Sequence, residues 1–193
     1  MTDGEERLRA LVRDCAWFMA VLAVVRDAGL PDAWVGAGAL RDLVWGELSG
    51  VGFRPDEVRD IDVVYFDPAD LSRARDDAAT GRLAAVRPDL PWQARNQAAV
   101  HVWYAARFGG DPVPPLRSIA EAVATWPETA TAVAVRLEPG GAIGVCAPLG
   151  LADLLGGVWR RNPARASLDV SRARLARHRP ARRWPGIQVI PPG

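Results

Sequence analysis

The chain has 193 residues, of which 49% are hydrophobic and 24% are charged, and its formal net charge is +1. This composition is typical of a globular protein and excludes a disordered one, and the length is sufficient for one well-buried core. A net charge so close to zero gives no strong signal for nucleic-acid binding.

The cysteine content and the N-terminus limit the class of protein further. The two cysteines, Cys15 and Cys146, form no Cys-x-x-Cys motif, so neither a disulfide framework nor a zinc site is expected. The first residues are acidic, unlike those of a signal peptide, and the apolar run 16–25 is too short to span a bilayer. We therefore expect a cytoplasmic protein with no membrane partner.

Hydrophobic periodicity predicts helices and strands along the first half of the chain. Apolar residues recur at three- and four-residue steps over 5–28, which predicts one mostly buried helix. The elements predicted after it are a strand at 33–35, a glycine turn at 36–38, a helix at 39–48, a loop at 49–59, a strand at 60–66 and a charged helix at 71–83.

The second half of the chain continues this alternation. Its predicted elements are a strand at 91–97, a helix at 96–107, a short helix at 118–125, a β-hairpin of 131–137 with 142–146, and a last helix at 149–160. The arginine-rich tail is expected to form a solvated helix face, with contact to an RNA acceptor as the alternative. We predict an α/β (α+β) fold. It forms one domain, 1–193, with a core at about 30–150 and a basic helical extension at 151–193.

A glycine turn precedes the helix at 39–48. Gly36, Ala37 and Gly38 place small residues at a helix N-terminus, where free N–H groups and the helix dipole favour phosphate. Arg41 follows on the first turn of the helix, where its guanidinium is suited to phosphate. This turn is therefore a candidate phosphate-binding site.

The strand at 60–66 begins with two aspartates. Because side chains alternate along a strand, Asp60 and Asp62 share one face, with their Cα atoms ~7 Å apart. Two carboxylates at this spacing suit one or two Mg²⁺ ions held between them and a bound triphosphate. Asp67 has the opposite parity, so we expect it to have a structural role at the end of the strand.

Three competing motifs do not fit the sequence. Arg41 stands where a dinucleotide-binding fingerprint has its third glycine, and Asp60 and Asp62 precede the apolar run of their strand, whereas the fingerprint acid follows it. The sequence also contains no Gly-Lys-Ser/Thr P-loop and no Gly-x-Ser-x-Gly nucleophile elbow.

The sequence resembles the nucleotidyltransferase superfamily in V-G-A-G-A-L-R-D (35–42) followed by D-I-D-V-V (60–64). G-A-L-R-D is similar to the glycine-and-arginine turn of tRNA-nucleotidyltransferase-type domains. Further stretches resemble a family of bacterial nucleotidyltransferase-like proteins of about this length: R-N-Q-A-A-V-H-V-W-Y (95–104), W-P-E-T-A (126–130), A-P-L-G-L-A-D-L (147–154) and R-W-P (183–185).

The resemblance implies a nucleotidyltransferase-like fold, with a short mixed sheet flanked by helices. It also implies transfer of a nucleoside monophosphate from an NTP to an acceptor hydroxyl, with Mg²⁺ (or Mn²⁺) as cofactor. Asp60 and Asp62 would be the catalytic metal ligands, and residues 36–38 would hold the β and γ phosphates with Arg41 nearby. The acceptor would attack the α phosphorus in line and pyrophosphate would leave. The acceptor itself stays open: protein, RNA or a small molecule.

The resemblance also implies a third carboxylate on a neighbouring strand, where this sequence has Gln93. Gln93 can accept a hydrogen bond or ligate weakly through its carbonyl, but it cannot act as a base. A non-catalytic nucleotide-binding or regulatory protein with a degenerate site is therefore the alternative function. Asn96 is predicted either to contact the nucleotide or to cap the following helix.

Overall fold

The computed structural model of the chain describes residues 2–108 and 112–193. Its helices are α1 Asp3–Asp14, α2 Ala16–Asp27, α3 Ala37–Leu48, α4 Arg73–Val86, α5 Val100–Phe108, α6 Ile119–Val123, α7 Ala152–Leu155, α8 Leu168–His178 and α9 Pro180–Arg183. Its strands are β1 Trp34–Gly36, β2 Ile61–Tyr65, β3 Trp92–Asn96, β4 Ala134–Leu137, β5 Ile143–Cys146, β6 Val158–Trp159 and β7 Gln188–Val189. Within these described residues, no helix has the length and apolar character needed to cross a membrane.

A mixed five-stranded sheet forms the centre of the described part of the chain, in the order β3-β2-β1-β4-β5. β2 and β3 are parallel and connected through α4, whereas the other neighbouring strands are antiparallel. β6 and β7 form a separate parallel pair. The predicted short mixed sheet flanked by helices is confirmed.

The alternation along β2 gives the two faces of the sheet different roles. Ile61, Val63 and Tyr65 are fully buried in the main hydrophobic core, which lies between the sheet and the helices. Asp62 and Val64 lie on the opposite face. The core is therefore on one side of β2, and the side chains available for chemistry are on the other.

α3 is buried along most of its length because helices and the C-terminal extension (residues 151–193) cover it. Trp45 of α3 is fully buried, and its indole Nε1 donates to the Leu154 carbonyl at 2.9 Å. Its ring lies 6.3 Å from Trp159 and 5.3 Å from Trp184, measured between ring centroids. The extension therefore contributes side chains to the same hydrophobic core as α3.

Two of the predicted helices differ from the structure. The helix predicted over 5–28 is broken at Cys15, which has extended backbone angles (φ −92°, ψ 97°). No proline or glycine marks this break, which arises because α1 packs against α7 and β5 while α2 packs against β1 and β4. The helix predicted over 149–160 is limited to Ala152–Leu155, because Gly157 has a positive φ of 67° and the next two residues pair with β7.

Candidate functional site

Gly36 and Ala37 have conformations set by the sheet. A Cβ atom on Gly36 would lie 2.6 Å from the Val133 carbonyl oxygen and 2.9 Å from the Trp126 ring, so no larger residue fits there. Ala37 begins α3 in the left-handed region (φ 55°), and its N–H donates to the same carbonyl at 3.3 Å. This conformation costs a non-glycine residue about 1–3 kcal/mol and is typical of ligand sites. The backbone at the turn is thus held in one arrangement.

Gly38 is the glycine of the turn that faces Asp60. A Cβ atom added to it would lie 3.8 Å from Nη2 of Arg41 and 3.9 Å from Oδ1 of Asp60, both ordinary contact distances. The packing of the chain therefore does not require glycine at this position. The space in front of Gly38 lies at the N-terminal end of α3, where the helix dipole favours an anion.

Asp60 and Asp62 line one cavity of about 710 Å³, together with Gly38. Burial, together with the charge of Asp60, raises the pKa of Asp62 to about 6. Three arginine charges act in the opposite direction: Arg174, Arg95 and Arg41. The charge of Asp60 thus disfavours ionisation of Asp62, and the three arginines favour it.

Gln93 occupies the position beside Asp62 on the neighbouring strand. β2 and β3 pair in parallel, with Asp62 opposite Gln93, and the exposed Gln93 side chain lines the same cavity. Within residues 2–108 and 112–193, no group of three or more His, Cys, Asp or Glu side chains is arranged to hold a metal ion. The protein therefore offers two carboxylates and one amide at this face.

This donor set fits a hard divalent cation. The carboxylates of Asp60 and Asp62 and the amide carbonyl of Gln93 are oxygen donors, which Mg²⁺ prefers. A cation between the two aspartates would also relieve the repulsion that contributes to the raised pKa of Asp62. Mg²⁺ is commonly held by one or two carboxylates with substrate phosphates and water completing its shell, so a third carboxylate is not required for binding.

Arg41 lies beneath the turn, with only 3% of its surface exposed. Its Nε and Nη2 donate to Asp42 Oδ1 at 3.0 and 2.6 Å. The guanidinium carbon lies 5.1 Å from the ring centroid of Trp184, 5.7 Å from that of Trp159 and 5.8 Å from that of Trp45. These are cation–π distances, so three tryptophans hold the guanidinium in place at the edge of the site.

Asn96 is buried at the end of β3 and its amide is used within the fold. Its Oδ1 accepts from the N–H groups of Asp67 and Ala98, and its Nδ2 donates to the carbonyls of Asp67 and Asp70. These four bonds use the full hydrogen-bonding capacity of the side chain. Of the two predicted roles, helix capping is the one visible in the structure, and the contact to a nucleotide stays a prediction.

Several residues at the site were not identified from the sequence, and they lie on α8. Arg174, Arg177 and His178 line the cavity that contains the aspartates. Arg177 and His178 also line a second cavity of about 360 Å³, together with Arg183. Arg177 is exposed, as predicted for a solvated helix face, whereas Arg174 is only partly exposed and pairs with Glu128. The spacing of residues 174, 177 and 178 places them on one face of a helix. This spacing alone does not predict that the face lines the cavity that contains the aspartates.

Residues 23–189 match a family profile described as nucleotidyltransferase. The chain belongs to this family. The family, together with the similarity of the fold to a solved structure described next, supports NTP-using nucleotidyl transfer. No match was found among curated proteins.

Solved structures share the fold of this nucleotidyltransferase family member. One, determined by NMR and described as a CCA-adding enzyme head domain, has a TM-score of 0.80 and 27% identity, covering 96% of this chain and 95% of the other. A CCA-adding enzyme in complex with CTP has a TM-score of 0.58 and 16% identity, covering 98% of this chain and 43% of the other. A tRNA-processing enzyme in an apo form has a TM-score of 0.50 and 18% identity, covering 98% of this chain and 45% of the other.

Proposed function

We propose that this chain is a Mg²⁺-dependent nucleotidyltransferase that moves a nucleoside monophosphate from an NTP to an acceptor hydroxyl. The observation that carries this proposal is the convergence of Asp60 and Asp62 with Gly38 on one cavity. Family membership supports the reaction class. The assignment of individual residues is our own and rests on their positions.

Each residue has a role that follows from its place in the cavity. The backbone at Gly38 and the first turn of α3 would bind the phosphates distal to the ribose, because that end of the helix carries free N–H groups. Asp60 and Asp62 would hold Mg²⁺, which when bound neutralises phosphate charge and orients the reacting phosphoryl group. The fixed turn and the buried Arg41 keep this geometry before substrate arrives, which is the main requirement of phosphoryl transfer.

The reaction itself is a displacement at the α phosphorus. The acceptor oxygen forms the new bond to phosphorus, its proton passes to solvent water, the bond to the bridging oxygen breaks, and pyrophosphate leaves with the electron pair. Gln93, beside Asp62, can accept a hydrogen bond from the acceptor hydroxyl and orient it. Its amide cannot take the proton of that hydroxyl.

Gln93 also favours a second candidate function, that of a non-catalytic nucleotide-binding protein. With Gln93 where the family resemblance implies an acid, the chain would bind Mg²⁺ and NTP without rapid turnover and act as a nucleotide-binding or regulatory protein. The two functions share the binding site and differ only in product formation. A single assay of binding and turnover therefore distinguishes them.

The acceptor is proposed only as a class. One structurally similar protein is described as a CCA-adding enzyme in complex with CTP and another as a tRNA-processing enzyme, which makes CTP and RNA the first pair to test. The low net charge of +1 gives RNA no additional support, so proteins and small hydroxyl compounds belong in the same screen.

The binding test compares wild type with Asp62→Ala and with Asp67→Asn as matched control. Asp67 lies just beyond β2 with the opposite parity, and its carboxylate pairs with Arg75 at 3.1 Å, away from the cavity. Each of the four NTPs is titrated with Mg²⁺ into each protein. Asp62→Ala should lose Mg²⁺-dependent binding while Asp67→Asn keeps it. Unchanged binding by a folded Asp62→Ala protein would disprove the site assignment.

The turnover test uses labelled NTPs with Mg²⁺ and cell extract, followed by detection of labelled acceptor and of pyrophosphate. Product that depends on Asp60 and Asp62 supports the transferase. Tight Mg²⁺-dependent binding with no product in RNA, protein or small-molecule fractions supports the non-catalytic alternative.

A further inference from the structure

We propose that α8 binds the β and γ phosphates of the nucleoside triphosphate and so selects triphosphates over monophosphates. The inference rests on the proposed function and extends it to three residues of the C-terminal extension, Arg174, Arg177 and His178. None of them lies in the glycine turn or the aspartate strand.

α8 passes over the junction of the two cavities. The residues that line both cavities come from the glycine turn, its helix, the start of β2 and α8: Gly38, Arg41, Asp60, Arg177 and His178. Arg174, one turn earlier on α8, lines the larger cavity, and the charges of Asp62 and Asp60 act on it. α8 therefore faces the place where the turn would hold the distal phosphates.

Arg174 is held by a buried carboxylate. Its Nε and Nη2 donate to Glu128 at 2.6 and 2.8 Å, and Glu128 has no exposed surface. The hydroxyl of Thr131 also donates to this carboxylate, at 3.3 Å. The remaining nitrogen of Arg174, Nη1, makes no hydrogen bond to any residue that the structure describes. A guanidinium fixed on one side by a buried acid can donate its free N–H groups to a phosphate oxygen with little loss of side-chain entropy.

Among the arginines around His178, Arg177 is the one whose guanidinium has no carboxylate partner in the described part of the chain. Burial, together with the charges of four arginines, lowers the pKa of His178 to about 3; the arginines are Arg41, Arg174, Arg177 and Arg183. Arg41 and Arg183 share Asp42, at 2.6 and 2.9 Å. Arg177 has no carboxylate partner among the described residues, and its Nη2 lies 3.0 Å from Nε2 of the neutral His178.

A polyphosphate would give the Arg177 guanidinium an anionic partner. Arginine binds phosphate oxygens through charge-assisted hydrogen bonds, which are stronger than bonds between neutral groups. A monophosphate bound at Asp60 and Asp62 lacks the β and γ phosphates that would lie beside Gly38, Arg177 and His178. The contribution of α8 to affinity therefore exists only for ligands that carry the β and γ phosphates.

The test measures the affinity of the full chain, with Mg²⁺, for the four NTPs, the corresponding monophosphates and inorganic tripolyphosphate. Arg177→Gln should weaken binding of triphosphates and tripolyphosphate about tenfold, the value of one charge-assisted hydrogen bond. Monophosphate binding should change less than about twofold, since no α8 contact is lost. The control is Arg172→Gln, an exposed position on α8 outside both cavities, which should match wild type.

Arg174 needs a paired variant, because Arg174→Gln alone leaves Glu128 buried without its partner. Glu128→Gln/Arg174→Gln removes both charges, and circular dichroism verifies that it folds. This double variant should show the same selective loss for triphosphates. A separate measurement follows the pKa of the His178 imidazole by NMR. This pKa should rise when tripolyphosphate binds. A role of α8 in packing alone would not produce that rise.

The outcomes separate the inference from the proposed function. Equal weakening of triphosphates and monophosphates in Arg177→Gln, or no weakening of either, overturns the role of α8. If wild type binds tripolyphosphate but no NTP, the proposed function fails while the phosphate site on α8 stands. If wild type binds neither, both fail.

Discussion

Gln93 lies beside Asp62, because β2 and β3 run parallel and pair these two residues in register. Gln93 thus places an amide, and not a third carboxylate, beside the two aspartates of the candidate metal site. The Gln93 side chain is exposed to the cavity, so an acid of similar size would fit without disturbing the core.

Replacing Gln93 with glutamate should therefore strengthen metal binding. A third carboxylate beside Asp62 adds negative charge, and the concentration of Mn²⁺ needed for half-saturation should fall by about tenfold, or ~1.4 kcal/mol. Mn²⁺ titration followed by electron paramagnetic resonance measures this. Gln93→Leu, which removes the amide oxygen, is the matched control and should bind Mn²⁺ more weakly than wild type. Equal affinity in all three proteins would place Gln93 outside the candidate metal site.

The two glycines of the turn should respond differently to alanine. Gly38→Ala should fold at least as stably as wild type, because its Cβ meets only ordinary contacts at 3.8 and 3.9 Å and alanine favours a helix. Its methyl group would instead occupy space between Arg41 and Asp60, so Mg²⁺–NTP affinity should fall by about tenfold or more. Titration calorimetry with each NTP measures the loss.

Gly36→Ala is the matched comparison. Its Cβ would lie 2.6 Å from the Val133 carbonyl, so β1 and β4 must separate, at a cost of about 1–3 kcal/mol in the free energy of unfolding. Urea unfolding should therefore show a loss for Gly36→Ala only. A large loss of stability in Gly38→Ala would contradict an open space in front of that residue.

Asp62→Asn should stabilise the chain without ligand at neutral pH. The folded pKa of Asp62 is about 6, raised from 3.8, so between these values the folded state holds a proton that the unfolded state has lost. Stability from this group therefore decreases as pH rises through that window, and above it the ionised carboxylate opposes folding. Removing the charge should raise the free energy of unfolding near neutral pH by about 1–3 kcal/mol.

Urea unfolding at neutral pH and near pH 4 measures this effect. The gain should disappear at the lower pH, where the wild-type carboxyl is protonated in the folded state. Asp67→Asn, which loses an ion pair with Arg75, should show no gain at either pH. If Asp62→Asn had wild-type stability at neutral pH, the ionised Asp62 carboxylate would not destabilise the folded chain.

Trp184→Ala tests whether the C-terminal extension folds with the rest of the chain. Trp184 is 3% exposed and packs on Trp45 of α3 and on the Arg41 guanidinium. Its removal should lower the free energy of unfolding by about 3–5 kcal/mol. The exposed Val102, changed to alanine, is the control and should change stability by less than about 0.5 kcal/mol.

The shape of the unfolding curve decides between one unit and two. We expect a single transition in wild type and in Trp184→Ala, with coincident curves by far-ultraviolet circular dichroism and tryptophan fluorescence. Two separate transitions, with Trp184→Ala shifting only one of them, would show that residues 151–193 form an independent unit.

Local sequence determined the parts of the site that depend on neighbours along the chain. Alternation of side chains along a strand predicted one shared face for Asp60 and Asp62, and both line one cavity in the structure. Gly36 marked the turn before α3, where a Cβ atom would lie 2.6 Å from the Val133 carbonyl oxygen. Periodic patterns predicted the individual strands and helices, whereas the short mixed sheet was implied by the family resemblance and is confirmed.

Tertiary structure decided everything that depends on residues far apart in sequence. No local pattern marks the break at Cys15, because it follows from what α1 and α2 pack against. The register that sets Gln93 beside Asp62 comes from strand pairing across α4. Arg174 lines the same cavity as the aspartates, and its ion pair with Glu128, 46 positions earlier, holds its guanidinium. A periodic pattern specifies which side of a helix or strand is apolar, but only the packed fold specifies what the polar side meets.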